Sequence, residues 1–307
     1  RLFINCIIYL MRVLTIKHGK KKLKPHIAAF FERCEMDPAV YFSVKETQFP
    51  KHAETLVKEH RSSADVIVVV GGDGTINEVV NGLLSEPGDK PPLLLIEAGT
   101  GNDLLRNFEA ISFDRPPIEI FNQPSSKLHI GQVKTEKELR YFVNIADVGF
   151  GGKVAETMEK MRVRWGALVS YVGAVIWAFF RYRNKSMSVK FNQLEEEKSF
   201  FMIAVCLGST FGNGMIIAPG KKRREVQFHV VRLGRIKIWH YLLYINKLLQ
   251  GKKINYPEIS YDETVNISIS GEGCEIEAEV DGERLSATSF TFTVVPDPIA
   301  ILNPYRH

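Results

Sequence analysis

A chain of 307 residues, 45% hydrophobic and 24% charged, can bury a substantial core in one large or two ordinary domains, which excludes a disordered or fibrous protein. Its four cysteines, Cys6, Cys34, Cys206 and Cys274, are far apart and form no Cys-x-x-Cys pair, so neither a zinc site nor a disulfide framework is indicated and a reducing cytoplasm fits. The net charge of +5 is modest but clustered, at Lys20, Lys21, Lys22 and Lys24, at Arg162, Arg164, Arg181, Arg183 and Lys185, and at Lys221 to Arg224. Such runs read as solvated surface, or as contacts to polyphosphate or an anionic membrane; no RNA-binding or helix-turn-helix pattern accompanies them, which argues against nucleic acid.

The opening RLFINCIIYLMRVL is apolar and basic without a small-residue cleavage site, and reads as a strand rather than a signal peptide. A helix near Lys24 to Glu32, a strand near Val40 to Val44 and a helix near Lys51 to His60 follow. Val66 to Val70 are uninterrupted and β-branched, the pattern of a strand buried on both faces of a parallel sheet. After Gly71 to Thr75 (GGDGT), Ile76, Val79, Val80 and Leu83 make one apolar helix face, and Thr75 with Glu78 reads as a capping box that starts the helix after Gly74. A strand at Leu93 to Ile96 completes a βαβα order, which predicts a parallel sheet covered by helices.

From about Leu128 the texture changes to short alternating runs such as YFVNIADVGF, SMSVKF, SFFMIAVCL, VNISIS and EIEAEV, which predict an antiparallel β domain. Two helical stretches interrupt it, one at residues 165 to 180 and one near Trp239 to Leu249. The first, WGALVSYVGAVIWAFF, has 16 residues where a spanning helix needs about 20; it reads as a buried core helix or as a segment lying on a membrane surface. The cleft between the two domains is the expected ligand site.

GGDGT joins a buried strand to a helix N-terminus, where unpaired N–H groups and the helix dipole favour anions. Asp73 beside a phosphate requires an intervening cation, which points to Mg²⁺-bound nucleotide; a merely tight connection is the plainer alternative. Thr75 and Ile76 follow Gly74 where a Walker A loop needs Lys then Ser/Thr, and Asn77 stands where the dinucleotide fingerprint needs glycine. Gly99, Thr100, Gly101, Asn102 and Asp103 form a second loop on the same plan, and loops leaving adjacent parallel strands can flank one phosphate chain. Asp281 and Gly282 give a type I′ hairpin signal, so on spacing alone Glu283 simply opens the next strand.

GGDGTINEVVNGLL at Gly71 to Leu84, GTGND at Gly99 to Asp103, FVNIADVGFGG at Phe142 to Gly152, FGNGMIIAPG at Phe211 to Gly220 and VDGE at Val280 to Glu283 together resemble the diacylglycerol-kinase catalytic-domain family of bacterial lipid kinases, related to sphingosine and ceramide kinases. The GGDGT element alone occurs also in NAD kinases and phosphofructokinases; the ordered set is specific. The resemblance implies a Rossmann-like α/β nucleotide domain (residues 1–127 with the tail 297–307) and a C-terminal antiparallel β-sandwich (residues 128–296) carrying the lipid site. It further implies ATP and Mg²⁺ as cofactors and phosphoryl transfer to a lipid alcohol at the inner face of the membrane, with a homodimer left open. By the same resemblance Thr47, Gly71, Gly72, Asp73, Gly74, Thr75 and Asn77 contact nucleotide, the second loop joins them, Asp73 serves catalysis and Glu283 is the general base.

The chain departs from that family at four places. Asn5 is followed by Cys6 and no glycine until Gly19, where the family has Asn-Pro and a glycine turn. His129 replaces an aspartate, Lys221 to Val226 replace an acidic metal-binding segment of which Glu225 keeps one carboxylate as a metal ligand, and His229 replaces a further aspartate. The sequence thus fits an ATP-dependent kinase of a diacylglycerol-like lipid, a catalytically silent nucleotide-binding homologue, or a kinase of a soluble substrate.

Overall fold

The computed structural model describes residues 10–98, 102–160, 167–212 and 214–306. The chain divides into two compact units, residues 1–128 with 298–307 and residues 129–297. In chain order, unit one holds β1 (Met11–His18), α1 (Pro25–Met36), β2 (Val40–Thr47), α2 (His52–His60), β3 (Val66–Gly71), α3 (Asp73–Leu84), β4 (Leu93–Glu97), α4 (Pro117–Phe121) and β5 (Ser126–Leu128). Unit two holds β6 (Gly131–Lys134), β7 (Leu139–Phe142), β8 (Ile145–Gly149), α5 (Phe150–Lys160), α6 (Ala167–Arg181), β9 (Lys185–Phe191), β10 (Leu194–Phe200), β11 (Met202–Cys206), β12 (Thr210–Phe211) and β13 (Met215–Ile216). It continues through β14 (Phe228–Leu233), α7 (Ile238–Leu249), β15 (Ile259–Thr264), β16 (Asn266–Ser270), β17 (Ile276–Val280), β18 (Glu283–Ala287) and β19 (Ser289–Val294) before β20 (Ile299–Ile301) returns to unit one.

Unit one is built on a sheet of order β2-β1-β3-β4-β20-β5, parallel from β2 through β20 and closed by antiparallel β5. The valine strand is buried throughout, as its unbroken β-branched run requires. Val66, Val68 and Val70 pack with Phe30 and Phe31 of α1 on one face, while Ile67 and Val69 are fully buried as well. Pro25 fits the first turn of α1 because it lacks the N–H that would be unpaired there, and Ile27, Phe30, Phe31 and Cys34 form the helix's buried stripe. Asn303 clamps the returning tail: its side chain accepts the N–H of Leu95 and donates to the same residue's carbonyl, at 2.8 and 2.9 Å.

Unit two is a sandwich of two six-stranded antiparallel sheets, β10-β9-β16-β19-β6-β7 and β15-β14-β11-β8-β17-β18. Val133, Phe142, Val189, Phe290 and Phe292 of the first sheet meet Ala146, Val148, Val205, Phe228 and Ala278 of the second to fill the space between them. The outer face of the second sheet is apolar too, and residues of α5 and α6 pack on it with Ile145, Phe201, Met202 and Val231. The α/β plus β-sandwich class therefore stands.

Several local expectations are corrected. The described first strand is Met11–His18 and is followed by Gly19; residues 1–9, with Asn5 and Cys6, lie outside the described part. Helix α3 begins at Asp73, two residues earlier than the Thr75–Glu78 pair suggests, and Glu78 makes no capping box. Its carboxylate instead accepts the N–H groups of Lys51 and Ala53, satisfying the start of α2, at 2.9 and 3.1 Å. Helix α5 and strand β14 have no counterpart in the sequence reading.

Candidate active site

In unit one the carboxyl ends of parallel β1, β2, β3 and β4 lie along one edge, where open α/β sheets bind ligands. His18, Thr47, Gly71 and Glu97 end those strands, so the topology brings Thr47, the Gly71–Thr75 loop, Asn102 and Asp103 to the same edge. Gly99, Thr100 and Gly101 lie outside the described residues. Gly71 leaves no room for a side chain, since a Cβ would stand 2.5 Å from that of Thr75. At Gly74 a Cβ would meet nothing within 4 Å, so the N-terminus of α3 has open space at its first turn.

Asp73 is tied to the second loop. Its two carboxylate oxygens accept the backbone N–H groups of Asp103 and Leu104, at 3.0 and 3.2 Å. Asn77 is buried and its side-chain oxygen accepts from the amide of Asn81 at 2.9 Å, so this side chain is engaged within α3. Thr47 receives the N–H of Gly19 on its hydroxyl at 3.3 Å, which joins the ends of β1 and β2. The sequence reading missed that Lys20, Lys21 and Lys22 belong to this edge. They follow β1 and border an open recess with Lys17 and Gly19; placing Gly19 as the first strand's turn is the signal that finds them.

In unit two the motif VDGE forms the expected tight hairpin, with Asp281 and Gly282 at φ 48° and 91° between paired Val280 and Glu283. The hairpin does more than turn. Asp281 accepts three consecutive N–H groups, from Val143 at 2.6 Å and from Asn144 and Ile145 at 3.0 Å each. It thereby fixes the hairpin to the FVNI segment, a link between two motifs that the sequence reading did not draw. Glu283 is one-third exposed and pairs with Arg140 at 3.0 Å, which joins edge strands β18 and β7 of the two sheets.

The basic run at Lys221 to Arg224 alternates: Lys222 and Arg224 are exposed, whereas Lys221 and Arg223 are buried, so for these two the solvated-surface reading fails. The Lys221 ammonium donates to the carbonyls of Gln227 and Glu225, at 2.8 and 3.2 Å, and lies 3.4 Å from the Glu225 carboxylate. Burial pulls the lysine pKa down and Glu225 opposes it. Arg223 donates to the carbonyls of His129 and Val143 at 2.7 and 2.6 Å. His229 lies 3.0 Å from Glu263 and 3.3 Å from Glu225. An ammonium thus sits among the carboxylate and carbonyls that would hold a cation, and Glu225 does not fit as a metal ligand. Among the described residues no group of three or more His, Cys, Asp or Glu could hold a metal ion.

Beneath α6 and α7 the second sheet encloses an apolar cavity of about 100 Å³, bordered by Phe150, Phe179, Met202, Tyr241, Ile259 and Tyr261. Glu279 reaches its wall and stands opposite Asp147 on the neighbouring strand. Asp147 is buried and accepts the N–H of Gly151 at 3.0 Å. Burial pushes the Glu279 carboxyl up to about 7, and burial together with the Glu279 charge raises Asp147 well above the carboxylate range.

Residues 15–133 match the diacylglycerol kinase catalytic domain, and residues 144–303 match the YegS C-terminal NAD kinase beta sandwich-like domain. The diacylglycerol kinase of Staphylococcus haemolyticus is 25% identical over 268 residues, covering 86% of this chain and 77% of that protein. The diacylglycerol kinase of Bacillus subtilis is 26% identical over 275 residues, covering 86% of each. A diacylglycerol kinase crystal structure from Bacillus anthracis shares the fold, with a TM-score of 0.67 at 17% identity over 96% of this chain and 97% of that one. The chain belongs to the diacylglycerol kinase catalytic-domain family, and with it to the kinases that transfer phosphate to an alcohol acceptor.

Proposed function

We propose that the protein is an ATP-dependent lipid kinase that transfers the γ-phosphoryl group to the hydroxyl of a diacylglycerol-like lipid. The observation that carries this reading is the open N-terminus of α3 at Gly74, on the carboxyl edge of the sheet, in a chain whose other unit holds an apolar cavity. Residues 1–127 with 297–307 would hold the nucleotide and 128–296 the lipid. The N–H groups of Gly72, Gly74 and Thr75 would receive phosphate oxygens, and Thr47, Asn77, the 99–103 loop and the Lys20–Lys22 turn would border the nucleotide. Mg²⁺ would enter with ATP as the counter-ion of its phosphates.

In the transfer the lipid oxygen attacks the γ-phosphorus as the bond to the bridging oxygen breaks. ADP leaves with that electron pair, and Glu283 takes the hydroxyl proton and passes it to water. Asp73 would act by holding the two phosphate loops together. The acyl part of the substrate gains about 0.8 kcal/mol for each CH₂ taken out of water, so an apolar cavity suits a lipid better than a soluble acceptor. A silent nucleotide-binding homologue is the second reading, favoured by the ammonium at Glu225 and the Arg140 pairing of Glu283. ATP-dependent phosphorylation of a lipid panel by the purified protein tests the proposal: product from a diacylglycerol supports it, and ATP binding with no product from any lipid favours the silent homologue.

A further inference from the structure

Helix α7 has no buried residue although it carries Ile238, Trp239, Leu242, Leu243, Ile245, Leu248 and Leu249. Trp239, Leu242, Leu243 and Leu249 fall on one stripe and are 72%, 52%, 68% and 53% exposed. The opposite side, with Tyr241, Tyr244 and Leu248, covers the apolar cavity. From Arg235 to Lys253 the chain has five cations, Arg235, Lys237, Lys247, Lys252 and Lys253, and no carboxylate. Helix α6 stands beside it, with Phe179 and Tyr241 rings 6.4 Å apart, and exposes Ile176, Trp177 and Phe180, with Arg181 over the Trp177 ring at 5.1 Å. Neither helix is a crossing segment: among the described residues no helix is long and apolar enough to span a membrane.

We propose that α7 is an interfacial helix that lays Trp239, Leu242, Leu243 and Leu249 into the headgroup region of an anionic bilayer, with α6 beside it. Exposed tryptophan and leucine flanked only by cations is the composition that binds anionic lipid surfaces. A second copy of the chain is a poorer occupant, because self-complementary pairing through this face would set the same five cations against themselves. The docking surface then lies directly over the apolar cavity, so an acyl chain leaving the bilayer would meet α7 first. This names a partner for the lipid-kinase reading and rests on that reading only for its purpose.

The test is sedimentation of the full chain with vesicles of phosphatidylglycerol and phosphatidylcholine, and with phosphatidylcholine alone. Wild type should bind the anionic vesicles, and binding should weaken as salt rises. Trp239→Ser with Leu243→Ser should lower that binding at least tenfold while phosphorylation of a short-chain, water-soluble diacylglycerol stays within twofold. In a Trp165→Phe, Trp177→Phe background, Trp239 emission should shift to the blue on anionic vesicles. Unchanged vesicle binding by the Ser variant overturns the proposal, as does a wild-type dimer that the same variant converts to monomer. Failure of wild type to phosphorylate any lipid would strike the kinase reading alone, since the vesicle assay needs no turnover.

Discussion

The GGDGT loop of unit one and the VDGE hairpin of unit two use an aspartate in the same way and differ in what stands beside it. Asp73 takes two backbone N–H groups of the next loop and Asp281 takes three of the FVNI segment. In each motif the acid is spent on holding backbone, and the group offered outward is its neighbour. In the loop that neighbour is a glycine amide at a helix start; in the hairpin it is the Glu283 side chain. On the proposed function the difference has a chemical sense: phosphate can be bound by backbone N–H groups, whereas proton removal needs a titratable group such as Glu283.

The sharpest way to break this comparison is Glu283→Gln. If Glu283 removes the lipid proton, turnover should fall by roughly 10² to 10⁴ with thermal stability nearly unchanged. A variant with wild-type turnover would remove the functional half of the contrast. Asp281→Asn should act differently, because its amide turns a donor toward backbone N–H groups that need an acceptor. It should lower stability by about 1.5 to 3 kcal/mol in denaturant melts and lower turnover with it. Asp73→Asn has two N–H partners to lose rather than three, so its stability cost should be smaller and its main effect a weaker affinity for ATP. If Asp73→Asn kept full stability and lost only Mg²⁺-dependent turnover, Asp73 would be a cation-facing group and not a brace.

How far these roles could be read in advance depends on the distance between partners. The valine strand, the glycine loop and the hairpin were legible because each is encoded in a few adjacent residues. The burden on Asp281 was not, since the N–H groups it holds lie 136 to 138 residues earlier in the chain. The end of the first strand was not legible, because the apolar residues from Leu2 onward offer no glycine before Gly19 to mark it. The burial of Arg223 was hidden for the same reason as Asp281, since the carbonyls that receive it lie 94 and 80 residues earlier. Lys221, by contrast, is received by carbonyls only four and six residues on, and was hidden by its place in a run of four cations that looks solvated.

A smaller effect should come from the carboxylates under α7. Glu279 has its folded pKa raised from 4.5 to about 7, so the folded protein keeps a proton that the unfolded chain releases between those values. Stability from this group is therefore present at low pH and lost as pH rises through about 7, by on the order of 1 to 3 kcal/mol. Asp147 is shifted in the same direction and adds to it. Melts of Glu279→Gln across this range should show a flatter dependence than wild type; equal slopes would mean that Glu279 is already ionised in the fold. The smallest effect per charge concerns Arg181, Arg183 and Lys185, whose neutralisation should weaken binding to anionic vesicles by about 1 kcal/mol each at low salt.

Hydrogen exchange resolved at single amides tests the shared aspartate role most directly. In wild type the amides of Val143, Asn144 and Ile145, and those of Asp103 and Leu104, should be protected by their carboxylate acceptors. Asp281→Asn should speed exchange in the first group alone and Asp73→Asn in the second alone. Exchange at wild-type rates in both variants would contradict the claim that these aspartates hold the backbone while their neighbours act.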